Sequence, residues 1–256
     1  MQLLCIGHKA PAFSPHAPFH FITPHAIEGY PSIVIPDDYL GEVYNGRILS
    51  EYTQLFVLAD KVEMERSSEP LYLFQYRKFL AAREPQHRST NFTYAFSCKP
   101  DEAESVFPTL EELRALAEVT LVGPMMHIGL FNQYFLNHNP RDIICFAVSL
   151  AGLVDFDSKR IDKFVTCPVL IPSPALGVYH PEMFVRHMRI LKRAWQSYHE
   201  NYYVERHGFQ RRVGGFLLER LHSFLVYEEM AKPNRGTILT GNQVIVSDSL
   251  QIGNTV

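Results

Sequence analysis

Leu71-Tyr72-Leu73-Phe74-Gln75-Tyr76-Arg77-Lys78 is the stretch on which the fold turns. It is a short run of β-favouring residues and predicts a strand. The run goes directly into two cations. In open α/β sheets, ligands bind outside the carboxyl ends of the strands. An Arg there offers a planar fork to diphosphate oxygens, and a Lys adds a point charge. Tyr76, Arg77 and Lys78 are therefore expected at an anion site. The competing reading is a strand that simply ends in solvent.

Working outward, Leu3-Leu4-Cys5-Ile6 reads as a second buried strand, closed by Gly7 and followed by His8 and Lys9. Residues 9–32 carry five prolines and read as loop. Ser32–Ile35 is a further strand. Apolar residues at helical spacing follow from Ile48 to Val62. Thr109 with Glu111-Glu112 fits a capped helix, and Val119–Val122 fits a strand. Helices are expected over 130–138, 140–153, 182–203 and 213–230, with a short strand at Val169–Ile171. Gly241-Asn242 between two apolar runs signals a terminal hairpin. The order predicts an α/β domain over 1–231 with a helical C-terminal part, then a short β-hairpin tail over 232–256.

Composition narrows the function. The 256 residues carry 24 Lys+Arg against 27 Asp+Glu, a formal net charge of -3. That balance argues against a protein built to coat nucleic acid. With 46% hydrophobic residues the chain is not intrinsically disordered. Cys5, Cys98, Cys145 and Cys167 form no C-x-x-C pair and read as reduced thiols of a cytoplasmic protein. No apolar run approaches the ~20 residues that span a bilayer, which leaves a soluble protein or one peripheral to a membrane.

Several polar residues could carry chemistry. His8 and Lys9, after a strand, are placed to meet a nucleotide base or phosphate. Arg211 and Arg212 precede Gly214-Gly215 at a helix start, where anions bind well. Glu51, Glu182 and Glu219 are the notable carboxylates for acid–base work. Glu182 also suits the positive end of a helix dipole, and Glu219 reads equally as an ion pair with Arg220. Asp155-Phe156-Asp157 is an Asp-x-Asp, the pattern by which many nucleotide-sugar transferases hold a divalent cation. It follows a helix rather than a strand, and a surface-loop role competes for it and for Asp37-Asp38. No Walker A, G-x-G-x-x-G, G-x-S-x-G or kinase signature is present.

Together these segments resemble a family of bacterial polysaccharide-locus glycosyltransferases, long catalogued as a domain of unknown function, with galactofuranosyltransferase members. The resemblance runs from about residue 3 to 230. It is carried by Gly7-His8-Lys9, Ser50-Glu51-Tyr52-Thr53, Tyr76-Arg77-Lys78, Gln133-Tyr134-Phe135-Leu136-Asn137-His138, Glu182-Met183-Phe184 and Arg212-Val213-Gly214-Gly215-Phe216-Leu217-Leu218-Glu219-Arg220-Leu221. Gln75, Lys78 and Glu182 depart from the family pattern of His, Arg and Asn. The resemblance implies a GT-A-like mixed sheet flanked by helices. It also implies a nucleotide-sugar donor, with a uridine diphosphate sugar expected, and a saccharide acceptor in capsular, exopolysaccharide or cell-surface glycan synthesis. In that scheme His8, Lys9, Tyr76, Arg77, Lys78, Arg211 and Arg212 bind the donor. Glu51 or Glu182 is the base, and Asp155 and Asp157 are the candidates for a metal. The expected setting is the cytoplasm, at most the inner face of the membrane. The departures keep open a non-catalytic carbohydrate-binding or assembly protein, and the basic cluster alone would also suit a phosphate-ester enzyme.

Overall fold

The computed structural model describes residues 1–41, 43–81, 83, 95–115, 120–123, 125–126, 129–232 and 238–248. The chain opens with strands β1 (Gln2–Ile6), β2 (His20–Thr23) and β3 (Ser32–Val34), then helices α1 (Gly46–Leu49) and α2 (Tyr52–Glu65). Strands β4 (Leu71–Gln75), β5 (Lys78–Ala81) and β6 (Ala95–Cys98) follow, with α3 (Pro100–Val106) and α4 (Leu110–Ala115) after them. Strands β7 (Thr120–Val122) and β8 (Met125–Met126) lead to helices α5 (Leu130–Asn137), α6 (Pro140–Leu150) and α7 (Ser158–Val165). Strands β9 (Val169–Leu170) and β10 (Gly177–Tyr179) precede α8 (Pro181–Tyr202), and a 3-10 turn at Gly208–Arg212 enters α9 (Val213–Met230). Strand β11 (Leu239–Val246) closes the described chain.

The strands build a mixed sheet with helices packed against it. β3, β2, β1 and β4 run parallel, with Ile6 paired to Gln75 and to Ile22. The carboxyl ends of β1 and β4 are therefore level, and Gly7 and Tyr76 leave the sheet side by side. β10 runs antiparallel to β4, with Tyr179 opposite Leu71. The residues after Tyr179 thus emerge at the other edge, where β4 begins. Leu71, Tyr72, Leu73 and Phe74 are all buried, because helices and loops cover both faces of the strand. On one of them Phe13, Phe74, Phe79 and Phe107 form a cluster with ring centroids 5.1–6.3 Å apart. In the helical layer, α8 packs against α2, α6 and α9. The Trp195 indole N–H on α8 donates to Val43 O at 2.6 Å.

Three expectations change. The apolar runs around Gly241-Asn242 form one continuous strand and not a hairpin. Leu239–Gly241 pair with β7, and Asn242–Val246 pair with β5 and β6. Available partner edges inside the sheet outweigh the local turn signal. The strand ending in Arg77-Lys78 is instead a tight turn: Gln75 pairs with Lys78, so Lys78 begins β5. The helix expected from Ile48 to Val62 is broken at Ser50, whose φ is 57°. No helix among the described residues is long and apolar enough to cross a membrane.

Candidate functional site

The carboxyl edge of β1 and β4 gathers charged groups from four segments far apart in sequence. The His8 ring meets the Tyr76 ring edge-on at 5.5 Å, and the Arg77 guanidinium lies 5.5 Å from the centre of the same ring. Tyr76 O accepts from the Ala12 amide at 2.8 Å, and Arg77 O accepts from the Val246 amide at 2.8 Å. These bonds fix the turn, while the His8, Lys9 and Arg77 side chains stay exposed.

Glu51 arrives from the α1–α2 elbow. Ser50 holds a left-handed φ, which a residue with a Cβ adopts only when its surroundings over-determine it. The amino end of α9 does so. Arg212 Nε donates to Ser50 Oγ at 2.7 Å. A Cβ on Gly215 would stand 3.0 Å from Ser50 Cβ and 3.2 Å from Leu49 O. One on Gly214 would stand 2.6 Å from Leu49 Cδ2 and 2.9 Å from Trp195 Cζ3. The glycine pair expected to open an anion-binding helix start therefore serves close packing: it lets α9 lie against the elbow and turns Glu51 toward α9. Behind Glu51, the Tyr52 hydroxyl is 3.4 Å from His222 Nδ1, and the Tyr179 hydroxyl is 3.3 Å from His222 Nε2. Burial holds the His222 pKa well below its ordinary value, so the ring is neutral and can accept from one tyrosine while donating to the other.

The charges at the elbow are coupled. Burial raises the Glu51 pKa, and the Glu219 carboxylate raises it further, against a backbone hydrogen bond, Lys78 and Arg212. Burial lowers the Lys78 pKa, and Arg77 and Arg212 act the same way, against Glu51 and Glu219. Glu51, Lys78, Arg77, Arg212 and Glu219 thus lie within electrostatic reach of one another. Such a half-buried carboxylate pair facing cations is an arrangement that separates acid and base roles. Glu219 does pair with Arg220, at 2.8 Å, as its sequence position suggested. Its coupling to Glu51 was not legible there, because nothing in the sequence brings residue 51 to residue 219.

An aromatic stack adjoins the cluster. His138 lies 4.1 Å from Phe216 with an interplanar angle of 26°, and 5.8 Å from Phe209 at 15°. Arg212 stands 5.6 Å over Phe216. Burial, aided by Arg220, lowers the His138 pKa to about 4. Phe209 is 62% exposed.

The remaining expected residues stand apart from this cluster or at its rim. Arg211 is exposed next to Arg212. Glu182 is exposed at the first turn of α8, and it lines a shallow pocket with Val62, Glu63 and Arg66 at the far end of α2 from Glu51. The 14 residues of α2 span about 21 Å, so Glu182 does not join this cluster. Asp157 caps α7 by accepting from the Arg160 amide at 2.8 Å, and Asp155 pairs with Arg193. Asp37 and Asp38 lie in a 3-10 turn. Among the described residues, no three His, Cys, Asp or Glu side chains converge as a metal site would require.

No protein-family model matches the chain, and no curated protein matches it by sequence. Its fold matches the solved apo structure of a bifunctional glycosyltransferase, WbbM, with a TM-score of 0.72 at 15% sequence identity. The match covers 96% of this chain and 45% of that one, so the chain spans less than half the length of that protein. The fold, a mixed sheet flanked by helices, is glycosyltransferase-like.

Proposed function

We propose that the chain is a glycosyltransferase that moves a sugar from a nucleotide donor, a uridine diphosphate sugar above all, to a saccharide acceptor in cell-surface glycan synthesis. One observation carries this reading. On a glycosyltransferase-like fold, the Tyr76–Lys78 turn and Arg212 face the Glu51–Glu219 pair at the carboxyl edge of the sheet. In this reading His8 and Lys9 border the nucleotide. Arg77, Lys78 and Arg212, with Arg211 at the rim, hold the diphosphate as it leaves, an electrostatic task suited to preorganised cations. Glu51 takes the proton from the acceptor hydroxyl, whose oxygen bonds to the anomeric carbon as the bond to the diphosphate breaks. A base whose pKa lies above the ordinary carboxylate range accepts that proton more readily. The exposed face of Phe209, backed by His138 and Phe216, offers the acceptor ring a stacking surface beside Arg212. The reaction would take place in the cytoplasm or at the inner face of the membrane.

The test is calorimetry with uridine diphosphate and other nucleoside diphosphates. Wild type should bind at least one, and Arg77→Ala should weaken that binding about tenfold or more, the worth of a charge-assisted hydrogen bond. Absence of binding to every nucleotide would overturn the reading. Unchanged binding by Arg77→Ala would remove only the diphosphate assignment.

A further inference from the structure

Tyr52, His222 and Tyr179 are buried titratable groups that the transfer step itself does not use, all at 1% exposure or less. Their protons can be placed. Burial pushes both phenol pKa values up, so each hydroxyl keeps its proton, and it holds the His222 ring neutral. The Tyr179 hydroxyl donates to Pro174 O. A carbonyl oxygen only accepts, so the one Tyr179 proton points there. Toward His222 Nε2, at 3.3 Å, the Tyr179 oxygen is then an acceptor. The single ring proton is therefore on Nε2. Nδ1 is left as an acceptor, and it takes the Tyr52 proton across 3.4 Å. The chain runs one way, from Tyr52 to His222 to Tyr179 to Pro174. It joins α2, α9, β10 and the loop before β10.

Its place in the fold gives this chain a task. Tyr52 follows Glu51 directly and is the first residue of α2. On α9, His222 stands three residues beyond Glu219, on the same side of the helix. Two adjacent positions at the start of α2 thus face two positions one turn apart on α9. One contact, Tyr52 with His222, is attractive. The other sets Glu51 near Glu219, and both burial and the second carboxylate raise the Glu51 pKa. Unrestrained, two such carboxylates would move apart and hydrate. The bond beside them opposes that movement.

Stability alone does not call for polar side chains here, since apolar groups of the same shape at both partner positions are close to neutral. What the polar chain adds is direction: each bond fixes the rotation of the next side chain. The other groups facing Glu51 are Lys78 and Arg212, which favour its charge. His222 also faces His187 of α8, with ring centroids 5.7 Å apart, and His187 in turn lies 3.7 Å from Glu229.

We propose that Tyr52, His222 and Tyr179 are positioning residues, an oriented hydrogen-bond chain that holds Glu51 against Glu219. Its effect on transfer rests on the reading of Glu51 as the base.

Tyr52→Phe tests it, because that change removes one hydroxyl and keeps the ring. Followed by carbon NMR through an acid titration, the Glu51 carboxyl should titrate roughly one unit lower in Tyr52→Phe than in wild type, the equivalent of one modest hydrogen bond. In transfer assays kcat should fall roughly ten- to a hundredfold, the scale of a misplaced catalytic group, while donor KM stays within about twofold. His222→Gln offers an acceptor to Tyr52 and a donor to Tyr179, and should keep most of the activity. His222→Leu offers neither and should resemble Tyr52→Phe. Tyr52→Phe combined with Tyr179→Phe should lower kcat no further than Tyr52→Phe alone, because one chain is cut twice. A Glu51 titration unmoved by Tyr52→Phe would overturn the proposal. So would a kcat that survives Tyr52→Phe but is lost in Glu51→Gln. Undiminished transfer by Glu51→Gln would instead overturn the reading of Glu51 as the base, and the NMR titration then decides the positioning by itself.

Discussion

The two ends of α2 make an instructive pair. Each lies next to a glutamate at the start of a helix, Glu51 at the N-cap of α2 itself and Glu182 in the first turn of α8, and both positions favour a carboxylate through the helix dipole. At the Glu51 end, the chain emerges from the carboxyl edge of the parallel strands. There the cations of the β4–β5 turn and of α9 surround a second carboxylate, and burial raises the Glu51 pKa. At the Glu182 end, the chain emerges from the opposite edge, because β10 runs antiparallel to β4. That carboxylate stays exposed beside Arg66 and Arg189. A helix start thus favours a carboxylate in both places, but only the carboxyl edge of the sheet adds the burial and the neighbouring Glu219 that raise the Glu51 pKa.

The comparison can be broken most sharply at the glutamates themselves. Glu51→Gln should lower kcat by roughly 10²- to 10⁴-fold, the range for losing a general base, while Glu182→Gln should stay within about twofold. Comparable losses in steady-state transfer assays would erase the distinction between the two ends.

A smaller effect is expected where α9 meets the elbow. Gly214→Ala places a methyl group against Leu49 and the Trp195 ring, and such overpacking costs about 1–3 kcal/mol. Denaturant unfolding should show a lower midpoint with an unchanged slope. A midpoint equal to wild type would mean that the elbow yields and does not fix Glu51.

The smallest change is a shift in a pH profile. Activity that needs Glu51 ionised is lost as pH falls through its pKa, which lies above the ordinary value of about 4.3. Glu219→Gln removes one of the charges that raise that pKa. The acidic limb of kcat/KM should therefore move to lower pH. A limb that stays in place would uncouple the two carboxylates.

Much of the frame was legible in the sequence. The apolar run Leu71–Phe74 and the short run Leu3–Ile6 are strands because both faces of β1 and β4 are covered, and such strands need no alternation. The long helices α8 and α9 follow their apolar spacing. That His8, Lys9 and Arg77 lie together was legible because they follow β1 and β4, whose carboxyl ends are level, whereas Lys78 begins β5. The tail was not: Gly241-Asn242 has the composition of a turn, yet edges of β5, β6 and β7 lie waiting for one extended strand. The glycine pair on α9 looked like an anion loop, because a sequence does not show what a missing Cβ is making room for.

The sequence by itself determined which segments are buried, and it placed cations and carboxylates where strands end and helices begin, since burial and capping act over a few neighbouring residues. Which of these meet was decided by the tertiary structure alone. Strand direction sent Glu182 to one edge and Glu51 to the other, and the approach of α9 to Ser50 brought Glu219 within reach of Glu51. Charges couple through space, and the distance between residues 51 and 219 is set by the packing of the whole sheet and its helices.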